Sequence, residues 1–146
     1  MINSRLCCNQ IIIRGELTIP DHKPEIETIL RTTCTPLIIK TVTKNQYTII
    51  FGELTIDMEY VALVPDGTQP IYFTSFKTSF ADILKHNSVP KADKSYSVKV
   101  EYEEFEAVNK RAISKYIILR ACSRSGVGLN DRSGHNTQTC ESCSLK

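Results

Sequence analysis

The sequence has no tryptophan, no long apolar run, no excess of charge of one sign, and no cysteine between residues 35 and 121. Crossing a bilayer takes a stretch of roughly 20 apolar residues, and without one the sequence predicts no membrane protein. The opening Met1-Ile2-Asn3-Ser4-Arg5-Leu6-Cys7-Cys8 has no apolar core of the kind a secretion signal carries, so conventional export is not expected either. Lys and Arg number 18 against 16 Asp and Glu, a net charge of +2. Such a balance lacks the long-range field that draws a protein to phosphate backbones or anionic lipid, and nucleic acid is not an expected partner. Catalytic patterns are missing as well. No serine sits in a nucleophile elbow, no glycine-rich loop precedes a helix, and no His and carboxylate set has metal spacing. His22, His86 and His135 fall in turns or the tail, and Glu101, Glu103 and Glu104 read as the solvated face of a strand. The expectation is a protein that is not an enzyme and takes no cofactor.

What is present is a chain of 146 residues with 41% apolar content, enough for one domain with a real core. From Gln10 to Ala121 the pattern is mostly period two. Leu54, Ile56, Met58 and Tyr60 alternate strictly with Glu53, Thr55, Asp57 and Glu59, which predicts a half-buried strand over 53–60. The stretch with Ile11, Ile13, Leu17 and Ile19, and the segments 37–42, 46–51, 71–80, 95–106 and 111–121, also read as strands. Gly15 suits a bulge or a close backbone approach, and the apolar phase shift along 98–106 predicts a bulge near Glu103-Glu104. Lys44-Asn45, Pro65-Asp66-Gly67 and Asn109-Lys110 supply turns. Pro24, Glu25 and Glu27 with the Ile26, Ile29, Leu30 stripe predict one short helix capping an open end, and a weaker helical turn is expected at Ala81–His86. The expected fold is all-β, an antiparallel β-sandwich of about seven strands with one short helix. The pentapeptide Gly15-Glu16-Leu17-Thr18-Ile19 recurs as Gly52-Glu53-Leu54-Thr55-Ile56, but the flanks diverge at once and no repeat architecture follows.

The six cysteines are Cys7, Cys8, Cys34, Cys122, Cys140 and Cys143, five of them near the ends. A domain knitted by disulfides would spread them through its loops. The chain therefore divides into an N-terminal connector arm at 1–9, a β domain at 10–121, and a Ser- and Gly-rich, cysteine-bearing tail at 122–146, with both ends expected to be flexible. Adjacent cysteines rarely bond to each other, so Cys7 and Cys8 are suited to two different partners. An arm of ten residues extends about 33 Å, enough to reach a neighbouring subunit; the alternative is an unselected terminus with incidental thiols. Cys34 is either a buried free thiol or an exposed acceptor for another subunit's arm. Cys140-x-x-Cys143 reads as a further cross-link or as an unused tail. A zinc site completed by His135 and Cys122 is a third option, though the expectation for metal is none.

The run Gly15-Glu16-Leu17, Lys23-Pro24-Glu25-Ile26-Glu27 with Ile29-Leu30, then Gly52-Glu53-Leu54-Thr55 leading into Tyr60-Val61-Ala62, resembles the SPOCS domain of sporulation proteins from endospore-forming bacteria. Phe76, Phe80-Ala81-Asp82-Ile83 and the closing strands fit its later section, so the resemblance covers roughly residues 10–121. The family includes a coat-morphogenesis adaptor that also carries a peptidoglycan-binding LysM module, whereas this sequence holds one SPOCS-like domain with cysteines on either side. Leu6-Cys7-Cys8 is similar in architecture to the N-terminal connectors of endospore appendage pilins. Together these resemblances imply a structural subunit that self-assembles into a disulfide-cross-linked endospore appendage or spore-surface fibre, as stacked rings joined by N-terminal arms. Cys7 and Cys8 would bond in the next layer with Cys34 and Cys122 as favoured acceptors, and Cys140 and Cys143 would add cross-links. The implied partners are copies of the chain and coat or exosporium proteins. Synthesis would be in the mother-cell cytosol, with the product ending on the spore surface. The alternative is a soluble coat-assembly adaptor that binds a morphogenetic protein; a zinc-binding regulator using the tail is a remoter third.

Overall fold

Alternate residues of Tyr47–Leu63, from Thr48 to Ala62, are all buried while their neighbours are not. That strand is the spine of one of two sheets. The computed structural model describes residues 6–86 and 95–124. They form β1 (Leu6–Thr18), β2 (Glu25–Lys44), β3 (Tyr47–Leu63), β4 (Ile71–Lys85), β5 (Ser95–Ala107) and β6 (Ala112–Arg124). The strands make two three-stranded sheets in the orders β1-β6-β5 and β2-β3-β4, and every pairing is antiparallel. The sheets face each other, with β2 beside β5 and β1 beside β4. Leu54, Ile56 and Met58 of β3 and Ile113, Ile117 and Leu119 of β6 are fully enclosed between them, each such side chain contributing roughly 1.5–3 kcal/mol of burial.

The all-β antiparallel class stands, with two corrections to its detail. There are six strands among the described residues, because 46–51 and 53–60 are one strand, β3. Gly52, which looked like a break, is a seat: a Cβ there would run into the Phe80 ring and the Leu37 carbonyl. The expected helix is the start of β2. Register shifts between Ile26 and Thr28 and between Ile29 and Arg31 each insert a residue. They set Ile26 opposite Ala62 and Ile29 opposite Tyr60, both toward the core, at a spacing of three that imitates a helical face. Leu30, the third member of the stripe, is left 49% exposed. The helical turn at 81–86 is likewise strand, the last part of β4.

Other boundaries move for identifiable reasons. The β5 bulge falls between Val100 and Tyr102, which frees Glu101 to pair with Arg120 at 3.1 Å and to accept from Gln10 at 3.0 Å. β1 runs through Gly15 without a register shift. It also begins at Leu6, so residues 6–9 of the expected arm belong to the sheet, and β6 carries Cys122, Ser123 and Arg124 of the expected tail. Residues 1–5 and 125–146, with Cys140, Cys143 and His135, lie outside the described residues.

The turns follow their chemistry. β2 and β3 join through Asn45-Gln46, with Asn45 at φ 56° in the left-handed region. Asp66 Oδ1 accepts from Thr68 N at 2.9 Å and from Thr68 Oγ1 at 2.7 Å, and Asn109 Oδ1 accepts from Arg111 N at 2.8 Å. Arg111 then closes the end that the helix was expected to cap. Its guanidinium donates to Pro20 O at 3.0 Å and Lys23 O at 2.9 Å, tying the β1–β2 connection to the β5–β6 turn.

Candidate functional site

The opposite end of the sandwich gathers three of the described cysteines, Cys7, Cys8 and Cys122. Cys8 on β1 stands directly across from Cys122 on β6, and the two are joined by a disulfide with an S–S distance of 2.06 Å and a Cα separation of 4.0 Å. So short a separation resembles a non-hydrogen-bonded cross-strand pair, where opposing side chains come closest. Alternation along β1 sends Cys8 to the outer face, in phase with exposed Ile12, and Cys7 to the inner face, in phase with buried Ile11. Cys7 is 1% exposed and lies opposite Ser123, which in turn lies opposite Tyr96 of β5.

Beneath this row is a polar network in the sandwich interior. Thr48 Oγ1 on β3 lies 3.2 Å from His86 Nε2, 3.1 Å from the Tyr96 hydroxyl and 2.9 Å from Thr43 Oγ1. One hydroxyl thus connects β2, β3, β5 and the residue that follows β4. Asn9 adds a second tie, its Nδ2 donating to Ile83 O at 2.9 Å and to Asp82 Oδ2 at 3.3 Å, so that β1 is held to β4. The Oδ1 of Asn9 and the Oγ of Ser123 are buried with no hydrogen-bond partner among the described residues. A hydroxyl beside an imidazole has the makings of a nucleophile and base, but Thr48 is fully buried. Its chemistry is cohesion, fixing the two sheets against each other at the cysteine end.

Cys34 is elsewhere. It sits on β2 opposite Ile56, eight residues along β3 from Thr48, or about 26 Å. Burial, and then a hydrogen bond to the Glu103 carboxylate across the sandwich, push its thiol up to about 12. Thr32 Oγ1 donates to the same carboxylate at 3.4 Å. A thiol held protonated in this way is a poor nucleophile. The structure therefore brings Cys7, Cys8 and Cys122 together and leaves Cys34 apart. It joins Cys8 to Cys122 within one chain, where the sequence expectation was a bond between chains. Among the described residues no group of three His, Cys, Asp or Glu side chains is placed to hold a metal ion.

Sequence reasoning singled out the cysteines but missed Asn9, Thr48, Tyr96 and Ser123. Thr48 left a trace, since it takes the core phase of the β3 alternation where an apolar residue is expected. No family model, no curated protein and no solved structure matches the chain.

Proposed function

We propose that this chain is a structural subunit that self-assembles into a disulfide-cross-linked endospore appendage or spore-surface fibre. The resemblance of residues 10–121 to the SPOCS domain supports the spore setting. The observation that carries the assembly reading is the Cys8–Cys122 bridge between a terminal edge strand and the central strand of its sheet. Such a bridge requires only that a β1 segment dock on a β6, and the β1 of another copy offers the same residues in the same register. Exchange of an identical element between copies is a low-cost route to assembly. Gly15, at φ +139°, supplies a point inside β1 where the chain can turn out of its own sheet.

In the single copy the bridge closes on itself. In the assembly the segment before Gly15 passes to a neighbour, and Cys8 of one copy bonds Cys122 of the next. Repetition of that step yields a ring if the rotation closes and a helix if it does not. Made in a reducing cytosol, the subunit keeps its thiols until release into an oxidising setting locks the contacts. Cys34 has no part in the bond, because burial and the Glu103 carboxylate hold its thiol protonated, away from the Cys8 and Cys122 end. The test is electrophoresis of assembled material boiled in detergent with and without reductant. A ladder that collapses to monomer only with reductant supports the proposal. Monomer in both lanes, with single small particles by electron microscopy, fits the adaptor instead.

A further inference from the structure

The outer face of the β2-β3-β4 sheet is divided into two unlike halves. Toward the cysteine end, Val42, Ile49 and Ile83 pair across all three strands, and Val42 and Ile83 are 43% and 44% exposed. Lys40, Lys44 and Lys85 surround this row, Lys40 Nζ lying 5.3 Å from the Phe51 ring centre and Lys85 Nζ 5.9 Å from that of Tyr47. The carboxylate on that half of the face among the described residues is Glu53, the next outward residue after Phe51 on β3, between Leu37 and Ser79, so lysines outnumber it there. Toward the other end, Val61 pairs with Ile71 and Glu59 with Phe73. Ile71 and Phe73 are 63% and 53% exposed. Four carboxylates lie there, Glu25, Glu27, Asp57 and Glu59, against Arg31, 3.2 Å from Glu59, Lys77 opposite Thr55, and Lys23, whose Nζ donates to Phe73 O at 3.0 Å.

Exposed apolar clusters of this kind mark interaction sites, and opposite charged rims set which clusters meet. Ile49 and Val61 are twelve residues apart on β3, about 40 Å, so the halves are two contacts and not one. We propose that this face is an interface between copies of the chain, the lysine-rimmed half of one copy seating on the carboxylate-rimmed half of the next. The contact is head to tail. Each copy in a row leaves one half open at either end, so association continues beyond two copies. The inference extends the assembly reading to a second contact and uses no cysteine.

Sedimentation velocity of the whole chain over a concentration series, in reductant, tests it. The expected result is mass that grows with concentration and falls with added salt. Lys44→Glu with Lys85→Glu, and separately Glu27→Lys with Glu59→Lys, should each weaken association about tenfold or more, and an equimolar mixture of the two variants should restore it. All four positions are on the surface, and circular dichroism checks that the variants fold. A single-copy particle at every concentration, wild-type association by either variant, or a mixture that stays dissociated would overturn the proposal. Since reductant is present throughout, failure here leaves the disulfide reading standing, and failure of that reading leaves this one.

Discussion

The ammonium of Lys115 lies 3.2 Å from the point a Cβ would occupy on Gly15, its cross-strand neighbour in β1. Lys115 is only 9% exposed and sits between Ile113 and Ile117 on the inner phase of β6. It forms no ion pair or hydrogen bond with the described residues. The glycine leaves space for the long side chain to lie across the edge strand and carry its charge toward the seam between the sheets.

Two substitutions follow from this pair. Gly15→Ala should cost about 1–3 kcal/mol, from the positive φ together with the displaced ammonium. Lys115→Met keeps the stem and removes an unpaired charge, so it should leave stability unchanged or raise it. Urea unfolding of both variants checks this, and a Lys115→Met protein clearly less stable than the parent would contradict it.

How much of this was legible depended on whether a strand kept its period. Residues 53–60 declared themselves because every second side chain of β3 is core. The start of β2 did not, because bulges at Glu27 and Leu30 turned a two-residue period into the three-residue spacing of Ile26 and Ile29. The cysteines stood out by composition, but no pattern in the sequence sets Cys8 across from Cys122, 114 residues away; the register does. Thr48, His86 and Tyr96 come from different segments and carry no shared spacing, so their network was visible only once the sheets were packed.

That network is the next test. Thr48→Val keeps the shape of the side chain and removes the oxygen that three partners share. Leaving His86 Nε2 and the Tyr96 hydroxyl without it should cost about 1–3 kcal/mol. Tyr96→Phe should cost less, and the double variant should lose less than the sum of the two. Strict additivity in chemical denaturation would show that the groups do not act together.

Cys34 offers a pH-dependent readout. Its folded thiol titrates near 12 against an ordinary value of 9.0, burial being the first cause and Glu103 the second. The unfolded chain therefore gives up this proton first. Its contribution to stability is whole below pH 9 and is lost as pH climbs toward 12. At pH 8 alkylation of Cys34 by iodoacetamide should be slow, and Glu103→Gln should speed it several-fold by removing the carboxylate that favours the neutral thiol. Equal rates in the two proteins would rule out the contact.

Reduction of the single copy should be costly. The Cys8–Cys122 bridge spans 114 positions, and a loop of that length constrains the unfolded chain by about 4–5 kcal/mol in the chain-entropy account. Thermal melts of the monomer with and without reductant should differ by many degrees. Coincident melts would show that the bridge contributes nothing.

Assembled material grown from an equal mixture of ¹⁴N- and ¹⁵N-labelled protein provides the most direct measurement. Digestion without reduction, followed by mass spectrometry, isolates the peptide pair joined by Cys8 and Cys122. Exchange of β1 between copies predicts pairs of mixed label in the proportion random pairing gives. Pairs of uniform label throughout would mean that every bridge closes within its own chain, and the covalent assembly proposed here would be contradicted.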